Sequence, residues 1–225
     1  MSDGFHPPVE EYLEAIYGLT EEGVSVIQAR LVERLRFSAQ AVSEMVHRLC
    51  DDGYLTRSGR GVSFTEKGME RALSVVRRHR LAERFLVDIV GLPWHKAHEE
   101  AGRWEHVISN DVEARFIAIL GHPTTCPHGS LIPGMGGELG DQLPISEVPN
   151  GTRVRLARIT EQVESNRAAL AFLNSNSVIP GCDIVIRDHL IDGSMTVSRI
   201  EKDGTFGEVV SLRPEINQHM FVKVA

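Results

Sequence analysis

The chain has 225 residues, room for one large domain or two to three small ones, and its 42% apolar and 24% charged residues exclude both a disordered polymer and a membrane protein. Its net charge of −7 excludes indiscriminate binding to polyanions. A local basic face is still compatible with that charge, because Arg30, Arg34, Arg36, Arg48, Arg57, Arg60 and Lys67 follow an acid-rich start.

The run PPVEEYLEAIYGLTEEG reads as a helix. Pro7 and Pro8 sit near its start, acids fill the first turns, and Val9, Leu13, Ile16 and Tyr17 form an apolar stripe that ends at Gly23. A second, short amphipathic helix is predicted in VIQARLVERLRF. The next run, SAQAVSEMVHRLCDDGYL, opens on Ser38 as N-cap, carries Val42, Met45, Val46 and Leu49 on one face and stops at Gly53. Two short helices so close together read as a helix-turn-helix. In YLTRSGRGVSFTEKG two strand-like runs flank Arg57, Ser58, Gly59, Arg60 and Gly61, a basic, glycine-rich tip that reads as a wing. Residues 1–73 are thus expected to form a winged DNA-binding domain. Ser38, Gln40 and Ser43 at the start of the recognition helix are placed to reach phosphates or base edges, and Arg30 and Arg60 suit phosphate or groove contact.

Residues 69–86 continue as a long helix without internal glycine or proline. After a turn at residues 91–93 come HKAHEEAGRWEH and DVEARFIAIL, helices apolar enough to pack on one another and on a second subunit. These make a helical domain over residues 74–140. The proline- and glycine-rich residues 121–151 read as loop and linker, the linker proper at 141–151. Short strands in RVRLARIT, CDIVIRDH, SMTVSRI and GEVVSLR, separated by turns such as Asp192-Gly193 and Asp203-Gly204, predict a small β-barrel over residues 152–225 on a flexible connection. No run approaches the roughly 18 apolar residues of a membrane span, and the first residues lack the pattern of a signal peptide. Three scattered cysteines fit a reducing compartment. A cytoplasmic protein with no membrane partner is expected.

HKAHEEAGRWEH gathers three histidines and three glutamates in twelve residues. On a helix His98 and Glu105 fall within roughly 20° of each other, with His106 on the adjoining edge. His79 and Glu83, four apart, and Glu11 and Glu14, three apart, offer further nitrogen and oxygen donors. Each group also has an ordinary reading as a solvated polar face, but their coincidence on helices that must pack together points to a shared metal site. Cys126 and His128 have no second pair at zinc-site spacing and read as a loop thiol and its neighbour. An enzyme is not expected. Counted from His98 as the first, the fifth position of the His-Glu-x-x-His zinc motif is Gly102, which breaks it, and Arg103 stands where a di-metal oxidase needs glutamate. A metal-dependent helical enzyme or a metal-buffering module is the alternative class.

EEYLEAIYGLTEEGV, RFSAQAVSEMVHRLCDDGYL and above all VVRRHRLAERFLVDIVGLPWHKAHEEAGRWEHVIS resemble the diphtheria toxin repressor family of metal-activated transcriptional regulators. The likeness covers residues from about 10 to 134. It implies a mainly α fold with small β parts: a winged helix-turn-helix, a helical metal-binding dimerisation domain and a C-terminal SH3-like barrel. It also implies a homodimer, one or two per site, that binds palindromic operator DNA when Fe(II) or Mn(II) is bound and needs no small-molecule substrate. The family's ancillary metal site matches His79, Glu83 and His98, and its primary site matches Glu11, Gly102, Glu105 and His106. Iron-responsive members have methionine at Glu11 and cysteine at Gly102. Manganese-responsive members have carboxylates at both and a further glutamate that corresponds to Glu14. A carboxylate and imidazole donor set suits Mn(II) over Fe(II), with other divalent transition metals as substitutes in vitro. Glu44 stands where relatives carry glutamine, and a carboxylate there would accept from a cytosine amine. In the SH3-like part, Asn166 and Ala169 replace an expected glutamate and glutamine, and Glu161 and Glu164 are the candidate substitutes.

Overall fold

The structure of the chain, a computed structural model, describes residues 8–224; Pro7, read above as part of a helix start, lies outside them. Helix α1 (Pro8–Glu21) keeps Glu10 and Glu11 in its first turn, where the helix dipole favours acids, and buries Leu13 and Ile16. Helix α2 (Gln28–Leu35) ends at Arg36 in the left-handed conformation, which turns the chain toward Ser38. The Ser38 hydroxyl accepts from the Ala41 N–H and caps helix α3 (Ala39–Asp51), which buries Val42, Val46 and Leu49. Strands β1 (Leu55–Ser58) and β2 (Gly61–Phe64) pair antiparallel and leave Gly59 and Arg60 at the tip of the wing. Tyr12, Leu13, Ile16, Leu31, Val46, Leu49 and Leu55 form the core of this head.

Helix α4 (Glu66–Asp88) has 23 residues and so spans about 35 Å. It carries the chain from the wing to the next domain. At Gly68 a Cβ would meet the Tyr54 carbonyl oxygen at 1.9 Å, so only glycine lets α4 start this close to the strand that enters the wing. Helices α5 (Trp94–Trp104) and α6 (Asn110–Ile119, capped by Ser109) pack with α4 around a second core of Leu81, Ala82, Leu86, Ala97, Ala101, Ile108, Phe116 and Ile132.

The C-terminal part is a six-stranded antiparallel sheet among the described residues. Its strands are β3 (Leu143–Pro144), β4 (Arg153–Ile159), β5 (Asp183–His189), β6 (Met195–Ile200), β7 (Phe206–Leu212) and β8 (Met220–Val224), in the order β3-β8-β4-β5-β6-β7. Short helices α7 (Glu161–Glu164), α8 (Arg167–Ser175) and α9 (Pro214–Asn217) connect them. Leu143 and Pro144, inside the stretch read as linker, pair with β8, and Ile145 and Val148 just after them lie in the core of this unit. Two-residue strands carry too little periodicity to be read from sequence.

The expected flexible connection is corrected by the packing. Trp94 of α5 sits in the core of the β-unit, and its indole N–H donates to the Pro127 carbonyl at 3.0 Å. Ile159 of β4 donates its N–H to the His128 carbonyl at 3.0 Å. Gly129 makes this approach possible, since a Cβ there would lie 2.1 Å from the Ala157 oxygen. The β-unit is therefore held against the helices that carry the candidate metal ligands. No helix among the described residues is long and apolar enough to cross a membrane.

Candidate metal centre

One turn of α4 separates His79 from Glu83, and both are buried. Helix α5 brings His98 against them. His79 Nε2 lies 3.0 Å from His98 Nδ1, and each of these nitrogens lies 3.2 Å from Glu83 Oε1. His128 Nδ1, from the loop after α6, lies 3.1 Å from that same oxygen. One fully buried carboxylate oxygen thus faces three imidazole nitrogens. From the β-unit, α7 adds Glu161, 3.2 Å from His98 Nε2, and Glu164, 3.6 Å from His98 Nδ1 and 3.7 Å from His128 Nδ1. Cys126 completes a group with Glu83 and His128 whose ligand atoms lie within 4.8 Å of one another.

The other nitrogen of His79 serves a second group. Nδ1 contacts Glu105 and lies 3.5 Å from Glu14 Oε1, and Glu14, His79 and Glu105 again lie within 4.8 Å of one another. His106 Nε2 lies 3.1 Å from Glu105 Oε1. Glu11 and Gly102 line a cavity of about 660 Å³ together with Glu14, His79, His98, Glu105 and His106. Nothing lies within 4 Å of where a Gly102 Cβ would be, so this position has open space. All the predicted ligand residues but Glu83 therefore line one cavity, and two donor groups share His79.

Three differences from the sequence reading stand out. Helix α5 stops at Trp104: Glu105 is its C-cap, still in helical conformation, and His106 lies in the turn that leads to α6. His106 therefore points toward α1 rather than along the helix face. Cys126 and His128 are buried beside Glu83, which corrects their reading as loop bystanders. Glu161 and Glu164 both reach His98, and neither replaces the other. A faint signal existed for the last two: a Cys-x-His step in an otherwise featureless loop, and a Glu pair three apart like Glu11 and Glu14.

The residues fit a divalent cation. Glu83 Oε2, Glu164 Oε1 and His128 Nε2 are buried with no hydrogen-bond partner. An unsatisfied buried polar group costs about 1–3 kcal/mol, and more if charged, which an ion bound to these lone pairs would offset.

Comparison with known proteins follows the same outline. The family model for the iron dependent repressor N-terminal DNA binding domain matches residues 5–61, and that for its metal binding and dimerisation domain matches residues 65–134. The iron-dependent repressor IdeR of Mycobacterium tuberculosis is 41% identical over 189 residues, 79% of this chain and 82% of the relative. The diphtheria toxin repressor of Corynebacterium diphtheriae is 39% identical over 206 residues, 86% of this chain and 89% of the relative. The chain belongs to the diphtheria toxin repressor family. Among solved structures, a manganese-dependent transcriptional repressor in complex with manganese superposes with a TM-score of 0.83 at 29% identity, covering 96% of this chain and all of the other. ScaR with bound Cd2+ gives 0.80 at 26% identity, covering 97% of this chain and all of the other. As a member of the diphtheria toxin repressor family, the protein is a metal-dependent transcriptional repressor that binds operator DNA and forms a homodimer, and it is not an enzyme.

Protons compete with a metal ion for the nitrogen and oxygen donors of this cluster. Burial, the largest single effect, opposes charge on His79, His98 and His128. The carboxylates of Glu83 and Glu105, of Glu161, and of Glu83 and Glu164 respectively outweigh it and raise all three above the usual imidazole range. Burial also pushes Glu164 up to about 7, while His98 overcomes burial to hold Glu161 down at about 2. The metal-free imidazoles therefore hold their protons to higher pH than a free imidazole does, and an ion must displace those protons. Metal binding is expected to release protons, and affinity is expected to rise with pH through about 7, where Glu164 loses its proton, and on above the usual imidazole range, because the metal takes the deprotonated ligands. Calorimetric titration in buffers of different ionisation enthalpy measures this; a heat independent of buffer would contradict the ligand assignment.

On the DNA side, Gln40 and Glu44 are exposed on α3, one turn apart, and the Gln40 amide donates to Glu44 Oε1 at 2.9 Å. Ser38 is exposed but occupied as a cap, and Ser43 is half-buried. Arg30 is exposed on α2, and Arg57 and Arg60 line a groove of about 390 Å³ with Gln28 and Ala29 at the start of that helix. Backbone N–H groups at a helix start beside two arginines make a surface suited to phosphate.

Proposed function

We propose that this repressor responds to Mn(II) in preference to Fe(II). In this reading Glu11, Glu14, His79, Glu105 and His106 hold one ion, and Glu83, His98, Cys126, His128, Glu161 and Glu164 supply a second group. The observation that carries the preference is the donor set around Glu14, His79 and Glu105, which contains carboxylate and imidazole and no sulfur. Hard oxygen donors suit Mn(II), which stands at the weak end of the divalent series and is selected by geometry and supply. Cys126 belongs to the other group. Fe(II) is the alternative, since both iron and manganese regulators stand among the relatives.

The mechanism follows from which elements the ligands join. Glu11 and Glu14 lie on α1 of the head, and the remaining ligands lie on α4, on the end of α5 and just beyond it. An ion between them fixes the head relative to the dimer axis. The two recognition helices of a homodimer must reach major grooves about 34 Å apart, or multiples of that, so the ion acts through its preference for the spacing that docks both. Ile89, Val90, Val107, Val112 and Ile119 are exposed apolar side chains on the helical domain, and a second subunit would cover them. Arg30, Arg60, Ser38 and Ser43 are assigned to backbone contact on a palindromic operator, and Gln40 with Glu44 to base edges, where the paired acceptor oxygens favour a cytosine amine. The reading places the protein in the cytoplasm, with one or two dimers per operator and no small-molecule co-effector.

The test is a titration of apo-protein with Mn(II), and separately with anaerobic Fe(II), followed by fluorescence anisotropy of its own promoter DNA at fixed salt. Activation at lower free Mn(II) than Fe(II) is the expected result; activation by Fe(II) alone would overturn the preference. Gly102 offers a second check. Gly102→Asp places a carboxylate in the open space beside the cavity and is expected to tighten Mn(II) binding about tenfold, the low end of the contribution of a single supporting group at a metal site. Unchanged affinity by calorimetry would place residue 102 outside the centre.

A further inference from the structure

Glu10 neighbours the proposed ligand Glu11 on α1, yet its side chain has different partners. It is 6% exposed. Oε2 meets Nδ1 of His106, and Oε1 accepts from Nη2 of Arg71 on α4. The first contact crosses from α1 to the turn after α5, and the second joins α1 to the start of α4, the helix that carries His79 and Glu83. On the far side of the ring, His106 Nε2 lies 3.1 Å from Glu105 Oε1 and faces the cavity lined by Glu14 and His79. A histidine ring offers a lone pair to a metal through one nitrogen only when its proton sits on the other, and a carboxylate at that other nitrogen fixes both proton and orientation.

We propose that Glu10 is a positioning residue for the metal centre: it accepts the Nδ1 proton of His106, which leaves Nε2 as the donor turned toward Glu105, while Arg71 holds Glu10 by its second oxygen. The assignment rests on the reading of His106 as a ligand. It separates the acids of α1 by task, with Glu11 and Glu14 facing the ion and Glu10 facing the ring that binds it. It also means that α1 of the head is tied to the turn after α5 through Glu10 and His106 in the metal-free structure.

Two measurements test it. Long-range 1H–15N correlation spectra of the apo-protein are expected to show a proton on His106 Nδ1; an Nδ1 without a proton would overturn the proposal. In calorimetric Mn(II) titrations, Glu10→Ala is expected to bind 10–100-fold more weakly, the usual cost of losing the partner of a metal-bound histidine. Glu10→Gln is expected to lose less, because its amide oxygen still accepts from Nδ1–H. Circular dichroism checks the fold, and if Glu10→Ala fails to fold, Glu10→Gln and the spectrum of the unaltered chain carry the test. Unchanged affinity in Glu10→Ala, with His106→Ala impaired, would remove the role of Glu10 alone. A loss as complete as that of His106→Ala would make Glu10 a ligand and overturn the positioning role. Unchanged affinity in His106→Ala would remove the ligand reading and this one with it.

Discussion

Replacing Glu83 by glutamine is expected to weaken Mn(II) binding by at least about 100-fold, since even a group that only supports a ligand contributes 10–100-fold. Glutamine keeps the volume of this fully buried side chain, so packing with Leu86 and the rest of α4 has no reason to change. What is lost is the charge. Glu83 Oε1 is the single oxygen within 3.2 Å of nitrogens on His79, His98 and His128, and two of these rings come from elements other than α4. An amide there supplies a neutral oxygen at best, and a bound dication loses the fully buried carboxylate that its imidazoles share, with only Glu161 and Glu164 of α7 left as counter-charge. His79 also belongs to the Glu14 and Glu105 group, so the disturbance extends to both. Operator affinity in the presence of Mn(II) is expected to fall to the metal-free value, measured by anisotropy alongside calorimetry. Wild-type metal affinity in Glu83→Gln would show that the convergence at this oxygen is a network of ordinary ion pairs.

Arg80→Ala is expected to lower stability by about 3 kcal/mol, the lower end of the cost of breaking a buried ion pair. Arg80 is 5% exposed; its two terminal nitrogens reach Glu21 at 2.9 and 2.7 Å, and Nη1 also donates to the Leu131 carbonyl. This one guanidinium joins α1 of the head, α4 and the loop that carries Cys126 and His128. Glu21 keeps some contact with solvent, which moderates the loss. For a chain of this size the change corresponds to a fall in Tm of about 6–12 °C, read by thermal denaturation of the metal-free protein. Arg80→Lys, which keeps the charge but not the two-pronged geometry, is expected to recover only part of it. A fall under about 2 °C would mean that the three elements are held together elsewhere.

The two variants separate binding from framework. Glu83→Gln leaves the metal-free fold intact and removes the response, whereas Arg80→Ala leaves the donors in place and loosens the joint between them.

Much of this molecule was legible in its sequence, and the reason is local. The cap at Ser38, the stop at Gly53 and the stripe of Val42, Val46 and Leu49 act within a few residues, so α3 and the wing after it could be placed from spacing alone. His79 and Glu83 share a face because a helix turn brings residues four apart together, and that holds whatever α4 packs against. The metal face on α5 was legible up to Glu105 for the same reason. It failed at His106, because where a helix ends depends on the chain that must turn back into α6.

What only the tertiary structure decided is which donors meet. Glu83 and His128 are 45 positions apart, and Glu10 and His106 are 96 apart. Cys126 and His128 lie in a loop with no periodicity, where sequence carries no information about direction. Glu161 and Glu164 reach His98 only because Trp94 and Gly129 hold the β-unit against the helices, a docking that spacing cannot express. Composition and periodicity determined the elements and the donor residues, because those follow from contacts between near neighbours. The convergence of three segments on one carboxylate oxygen was decided by packing between elements far apart in the chain, since burying charged donors is tolerable only where their partners from those other segments are already in place.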